Sequence, residues 1–245
     1  MAAGVDAVEI STNPHFFSSL NFDSLRELAR WFAANPLLPW AVHAPTMIGE
    51  VTEHGGGLPI NLLHPDKARR INSMDEIKRS LDAAYLIPFR YLVLRLAHPE
   101  TEWTPETQEH GVTALEHLGV FAAQSGMKLL LKADSSNAGK PERLLEILAA
   151  GRFRTVQLAL NTADAFGTQH AYDLPHDLLK AVYLTDLSAG AQVWPGEGSV
   201  DWPAVRGQIN SLPDDMAVVL STNSSNANGG TPQHEKIRRA FALVS

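Results

Sequence analysis

The sequence predicts an α/β fold built on a mainly parallel sheet. Three observations carry that prediction. Strand-length apolar runs recur along the chain, each gives way to a longer segment of helical periodicity, and no composition break or long linker divides the series. The 245 residues, 44% of them hydrophobic, suffice for a substantial core, and barrels of alternating strands and helices commonly form one domain of about 250 residues. The expectation is therefore a single domain over residues 1–245.

Taken in order, "VDAVEI" (5–10) is the first apolar run and "FDSLRELARWFAA" (22–34) the first helix, with Leu25, Leu28, Trp31 and Phe32 at helical spacings and Asp23 or Ser24 near its start. "PWAVHA" (39–44) follows as a strand. "NSMDEIKRSLDAAYLI" (72–87) then carries Ser73 and Glu76 at the spacing of a capping box, ahead of an apolar face of Ile77, Leu81 and Ala84. The remaining strands are read at "YLVLRL" (91–96), "KLLLKA" (128–133), "TVQLAL" (155–160), "AVYLTD" (181–186) and "MAVVLS" (216–221). Helices are read at 104–124, 140–151, 173–181, 201–210 and 234–244. Nearly continuous apolar runs suit strands covered on both faces, and repeated strand-then-helix order implies helical crossovers between parallel neighbours. This pattern alone leaves a closed barrel and an open doubly wound sheet both standing. The segments 53–65 and 221–233 read as polar loops of a length more often functional than ornamental.

Charge and motifs narrow the function classes. A formal net charge of -7 argues against a broad phosphate-binding surface, so a nucleic-acid partner is not expected. The absence of cysteine removes disulfides, thiolate nucleophiles and thiolate metal sites. "MAAGVDAVEI" has neither the basic start nor the long apolar core of a leader, and no run approaches the roughly 20 apolar residues that cross a bilayer. A soluble, cytoplasmic protein without a membrane partner is expected. No G-x-G-x-x-G follows a strand, and no H-E-x-x-H occurs among the scattered histidines, although His110 and His117 lie on one helical segment.

The order of several motifs resembles the xylose isomerase-like TIM barrels, which include sugar-phosphate isomerases and epimerases and the endonuclease IV group. The matching pieces are "AAGVDAVEI", "AVHAPT", "KARRINSMDEIKRSLDAA", "LLLKADSSNAGKPERLLEIL", "LALNTADAF", "VYLTDLSAG" and "WPGEGSVDWPAV", spread over nearly the whole chain. The resemblance implies a TIM (β/α)8-type barrel. It also implies that this chain shows strands two to eight and lacks the first strand and helix, leaving two sheet edges to be covered by another segment or subunit. Association into a homo-oligomer is one expectation that follows.

The resemblance further implies a divalent metal held by Glu, Asp, His and Glu at strand ends, where it polarises a sugar carbonyl or hydroxyl. Carried over position by position, this chain departs from that pattern. Where the family has "LLLEN" the chain has Leu131, Lys132 and Ala133; where it has "LDTGHA" the chain reads "LNTADA", with Asn161 and Asp164 replacing Asp and His. The family's "HLHD" becomes Tyr183, Leu184, Thr185 and Asp186, its terminal Glu falls at Ser221, and a frequent His falls at Arg95. His43 alone remains of the usual ligand positions. These correlated replacements imply a barrel retained and its metal chemistry lost, so no metal and no cofactor are expected.

Each candidate residue carries a functional and a plainer reading. Lys132 either fills the place of a cation by charge-assisted hydrogen bonding or serves as a Schiff-base amine activated by desolvation. His43 is an acid/base or ligand-binding group, or an inherited core histidine. Asp164 and Asp186 form an acid/base pair, or cap helices and pair with cations. Arg95 and His98 offer donors to an anion or a sugar hydroxyl, or stabilise structure. Trp194 stacks on a sugar ring or packs beneath its loop. With Asn161, Thr185, Gln192 and Ser221, these residues make the expected strand-end site. The function expected from them is a degenerate, metal-independent sugar isomerase or epimerase-like barrel that binds a small polar or anionic carbohydrate-like ligand. An active metal-free isomerase, epimerase or lyase using Lys132, and an interaction or scaffold protein, are the alternatives.

Overall fold

The computed structural model describes residues 4–13, 21–49, 57–165, 175, 177–221 and 232–245. Most of the 221–233 loop, the start of the 53–65 loop and part of the 173–181 segment lie outside them. The chain divides into two compact units, one spanning Asp6–Gln157 and the other built mainly from Leu158–Ser245. Both use parallel strands joined by helices.

The Asp6–Gln157 unit runs β1 (Ala7–Ser11), α1 (Phe22–Ala34), β2 (Leu38–His43), a short ribbon of β3 (Met47–Ile48) with β4 (Leu58–Pro59), α2 (Lys67–Leu81), a 3-10 turn (Asp82–Tyr85), β5 (Tyr91–Leu94), α3 (Pro105–Gln124), β6 (Lys128–Lys132) and α4 (Pro141–Ala150). Its sheet order is β1-β2-β5-β6, every neighbour parallel. All of β5 is buried, as the uninterrupted apolar run demands of a central strand. Leu92 and Leu94 of β5 and Leu130 and Leu131 of β6 are shut off from solvent, as are Leu115 and Leu118 of α3, Ile147 of α4 and Ile77 of α2. Each such side chain contributes about 1.5–3 kcal/mol relative to exposure.

The second unit begins as the chain enters β7 (Gln157–Asn161), then makes one helical turn, α5 (Thr162–Ala165), and continues through β8 (Leu179–Leu184), an antiparallel ribbon of β9 (Asp186–Ser188) and β10 (Ala191–Val193), α6 (Trp202–Ile209), β11 (Ala217–Leu220) and α7 (Gln233–Ala242). β7 and β11 flank β8 in parallel register. Among the described residues, no helix is long and apolar enough to cross a membrane.

Two elements differ from the sequence expectation. α2 begins at Lys67, where the Asp66 carboxylate accepts the Ala68 and Arg69 backbone N–H groups at 2.7 and 3.2 Å. Ser73 does not cap it. That side chain is buried about two turns further on and accepts the Asn61 N–H at 3.1 Å. The helix expected over 173–181 also fails in its described part, because Leu179 and Ala181 are the opening residues of β8, paired with Leu158 and Ala159. A leucine-rich stretch with good helix propensity is drawn into the sheet by burial and ladder pairing, which outweigh a weak local preference.

α3 starts with a reciprocal cap. The Thr104 hydroxyl accepts the Thr107 N–H at 3.1 Å, and the Thr107 hydroxyl accepts the Thr104 N–H at 2.8 Å. Thr104→Ala removes one half of this arrangement and is expected to cost about 1 kcal/mol. Thermal melts should show a fall of roughly 2–4 °C for a chain of this size.

Candidate functional site

In the Asp6–Gln157 unit, strand register brings the expected residues together. His43 ends β2 opposite Val93, and Leu94 of β5 stands opposite Leu131 of β6. Paired residues in a parallel ladder point to the same side and side chains alternate along each strand. Arg95 and Lys132 therefore come level with each other, one repeat beyond His43 and on the same face. Asp134 follows two residues after Lys132, and its Oδ2 lies 3.7 Å from Arg95 NH1. Lys132 and Asp134 are buried, at 7% and 9% exposure. Arg95 Nε is buried with no hydrogen-bond partner among the described residues.

The His43 ring is fixed and its tautomer follows from one bond. Nδ1 lies 2.9 Å from the Ala44 carbonyl oxygen, which can only accept, so Nδ1 carries the proton and Nε2 keeps its lone pair. The main chain is pinned as well, because Thr12 donates to the His43 carbonyl through both its N–H (3.0 Å) and its hydroxyl (2.9 Å). Burial, then the Lys132 charge, and then Arg95 acting against the Ala44 bond, lower the His43 pKa from 6.5 to about 3. The imidazole is thus a neutral acceptor in a positive field.

Asp134 escaped the sequence reading. Its Oδ1 accepts the Ser136 N–H at 2.9 Å and also the Ser136 hydroxyl, while Gly139 donates to the Ser136 hydroxyl at 3.1 Å. A Cβ on Gly139 would come within 2.0 Å of that carboxylate oxygen, so glycine is required. The signal was present in "ADSSNAG", an Asp two residues before a Ser and followed by Gly, which is turn chemistry directly after a strand end.

His98 does not join this group. It lines a cavity of about 520 Å³ with Asn61, His64, Arg69, Thr101 and Glu102, a lining that contains neither Arg95 nor Lys132. Its Nδ1 accepts the Glu100 N–H at 3.4 Å.

In the second unit, Asn161 ends β7 and its amide donates to Asp164 Oδ2 at 3.0 Å, while the Asn161 carbonyl oxygen is buried without a partner among the described residues. The Thr162 hydroxyl bridges the Thr185 backbone, donating to its carbonyl at 2.5 Å and accepting its N–H at 2.8 Å. The Thr185 hydroxyl accepts the Ala163 N–H at 3.3 Å. Gln192 reaches the Ser221 carbonyl oxygen at 3.0 Å.

Asp186 is held by backbone and indole N–H groups. Its carboxylate is fully buried and accepts five N–H groups: Leu187 and Val200 on Oδ1, and Gly196, Gly198 and the Trp202 indole on Oδ2, all at 2.9–3.1 Å. Burial pushes its pKa up, but the indole and the Val200, Gly198 and Gly196 N–H groups together outweigh it and hold the acid below the usual range. Both oxygens are committed to folding "PGEGSVDW" around them. Gly198 permits this approach, since a Cβ there would meet Asp186 Oδ1 at 2.2 Å and the Leu187 carbonyl oxygen at 2.5 Å. Trp194 is only 8% exposed, its indole N–H has no hydrogen-bond partner among the described residues, and Lys236 Nζ lies 5.3 Å from its ring centroid.

The family model for the xylose isomerase-like TIM barrel matches residues 1–244. The chain belongs to this family. Among solved structures, the IOLI protein with a binding zinc atom is similar at a TM-score of 0.73 and 19% identity, covering 98% of this chain and 86% of that one. An L-ribulose 3-epimerase is similar at a TM-score of 0.76 and 15% identity over 99% and 84%. The 3-keto-D-glucoside 4-epimerase from E. coli, in its apo form, is similar at 0.70 and 16% over 99% and 89%. At these identities the similarity speaks for the fold. No curated protein matches the chain by sequence. Within the Asp6–Gln157 unit His43, Arg95 and Lys132 stand at or just beyond C-terminal strand ends, and within the second unit Asn161 and Thr185 do so.

Two measurements test these assignments. Asp186→Asn turns one acceptor into a donor facing N–H groups and should destabilise the protein by about 2–3 kcal/mol, lowering the melting temperature by roughly 5–10 °C. An unchanged melt would remove the anchoring role. Long-range nitrogen–proton NMR should show His43 as the neutral Nδ1–H tautomer from about pH 8 down to about pH 5, where an ordinary imidazole is charged. Because the folded pKa is depressed, the unfolded chain takes the proton first, so this residue's share of stability is lost as pH falls from 6.5 towards 3.

Proposed function

We propose that this chain is a metal-independent, catalytically degenerate relative of the sugar isomerases and epimerases, a cytoplasmic protein that binds a small polar or anionic carbohydrate-like ligand at its strand ends. Lys132 carries the reading: a buried ammonium stands where the resembling family places a metal-binding glutamate. A divalent ion wants anionic oxygens and neutral imidazoles. Here the one imidazole, His43, is flanked by the charges of Lys132 and Arg95, and among the described residues no three His, Asp or Glu side chains gather as a metal would require. This donor set does not fit the ion. It suits oxygen-rich ligands, with Lys132 and Arg95 donating and His43 Nε2 accepting. The sugar epimerases among the similar structures support a carbohydrate-like ligand.

Calorimetric titration with neutral sugars, sugar acids and sugar phosphates in the presence of EDTA tests the reading. Binding should survive chelation, and Lys132→Met should weaken it by about 10- to 100-fold, the loss of one charge-assisted hydrogen bond. Stoichiometric divalent metal retained by the purified protein, with binding abolished by EDTA, would overturn it. A second reading takes the buried Lys132 at a strand end as a Schiff-base amine. Borohydride reduction with a carbonyl sugar, followed by peptide mass analysis, would then mark Lys132. An unmodified peptide leaves the non-covalent reading in place.

A further inference from the structure

We infer that Thr12 and Ser80 are positioning residues for His43: a buried hydroxyl relay, running from α2 through Thr12 to the His43 carbonyl, fixes the main chain on which the ring's Nδ1–H tautomer depends. The inference deepens the proposed function and rests on it for the use of Nε2 by a ligand.

The direction of the relay follows from donor and acceptor roles. The Thr12 hydroxyl donates its one proton to the His43 carbonyl oxygen at 2.9 Å, so towards Ser80 Oγ, also 2.9 Å away, it can only accept. Ser80 is therefore the donor. Thr12 and Ser80 are 3% and 0% exposed, so bulk water competes for neither bond. Ser80 belongs to the buried side of α2, together with Ser73, Ile77 and Leu81. A buried hydroxyl costs free energy unless a partner satisfies it, and the partner here leads to the site.

What the relay holds is the peptide that joins His43 to Ala44. Its oxygen accepts the Thr12 hydroxyl and, at 3.0 Å, the Thr12 N–H, while its N–H, that of Ala44, donates to the Val93 carbonyl oxygen at 2.8 Å. The next carbonyl along, that of Ala44, keeps the ring proton on Nδ1 at 2.9 Å. The bond from ring to carbonyl therefore spans the pinned peptide. Rotation of that peptide would carry the Ala44 oxygen away from Nδ1 and leave the proton free to sit on either nitrogen. Strand pairing holds its N–H edge, and Thr12 holds its oxygen edge. Because the Ser80 bond polarises the Thr12 hydroxyl, the two bonds reinforce one another. Through two hydroxyls, α2 thus sets which His43 nitrogen is the acceptor.

The experiment is long-range nitrogen–proton NMR of the His43 ring at neutral pH, on the whole chain, for the parent, Thr12→Val, Thr12→Ser and Ser80→Ala. Loss of one hydrogen bond corresponds to about a two- to tenfold change in an equilibrium. The ratio of the Nδ1–H to the Nε2–H form should fall by that factor in Thr12→Val and Ser80→Ala, and stand at the parent value in Thr12→Ser, which keeps the hydroxyl. A lower melting temperature with an unchanged tautomer ratio would make these hydroxyls packing groups and overturn the positioning role. So would a Thr12→Ser protein that behaves like Thr12→Val. If Thr12→Val fails to fold, Ser80→Ala carries the same readout. In the parent itself, the Thr12 hydroxyl proton should resist exchange with water and correlate with the His43 carbonyl carbon; a rapidly exchanging proton overturns the relay. The ring is read without any ligand, so failure here leaves the carbohydrate-like ligand in place, and failure of the sugar titrations leaves the relay in place.

Discussion

Parallel pairing in one register is the constraint on which the rest of the Asp6–Gln157 site depends. Once Val93 is opposite His43 and Leu94 opposite Leu131, the side-chain alternation of a pleated strand leaves no choice about which groups share a face. A slip of one residue would turn Lys132 or Arg95 to the opposite side. The register is held by burial, since Leu92, Leu94, Leu130 and Leu131 have no exposure to lose. Packing of wholly apolar residues thus determines where the polar ones meet.

The two units place buried charge in different ways. Asp186 is saturated by five N–H donors, and its hydrogen bonds fold a loop carrying Gly196 and Gly198 around a single carboxylate. Such an acid stays ionised and has no lone pair left over for chemistry. The other unit gathers two cations, a neutral imidazole and a carboxylate, with one guanidinium nitrogen still short of an acceptor. Completed hydrogen bonding at Asp186 and incomplete hydrogen bonding at Arg95 Nε are the two extremes among the described buried polar groups.

Much of the fold was legible because periodicity is a direct consequence of burial. Strand-length apolar runs located β1, β2, β5, β6, β7, β8 and β11 to within a few residues, and Pro105, Pro141 and Pro203 fell in the first turns of their helices. The beginning of α2 was not legible, because its first turn is polar and follows Pro65 in a stretch that reads as loop; only the Asp66 cap reveals it. Leu179 to Ala181 misled in the other direction, being good helix formers placed in a buried strand. At the site, the residue types at strand ends were visible. The pairing of Arg95 with Asp134 and the placement of His98 on another cavity were not, because they depend on how loops return to the strand ends.

The sequence by itself determined the strand and helix order, the family and the unusual presence of a lysine after "KLLL", since these are written in local patterns and motif order. Tertiary structure alone decided that His43 is neutral with its lone pair on Nε2, that Asp186 is an anchor, and that Asp134 shares the face with Arg95. The physical reason is common to all three. Protonation state, hydrogen-bond saturation and ion pairing depend on groups far apart in the chain and on the water they exclude, and no local pattern encodes either distance or desolvation.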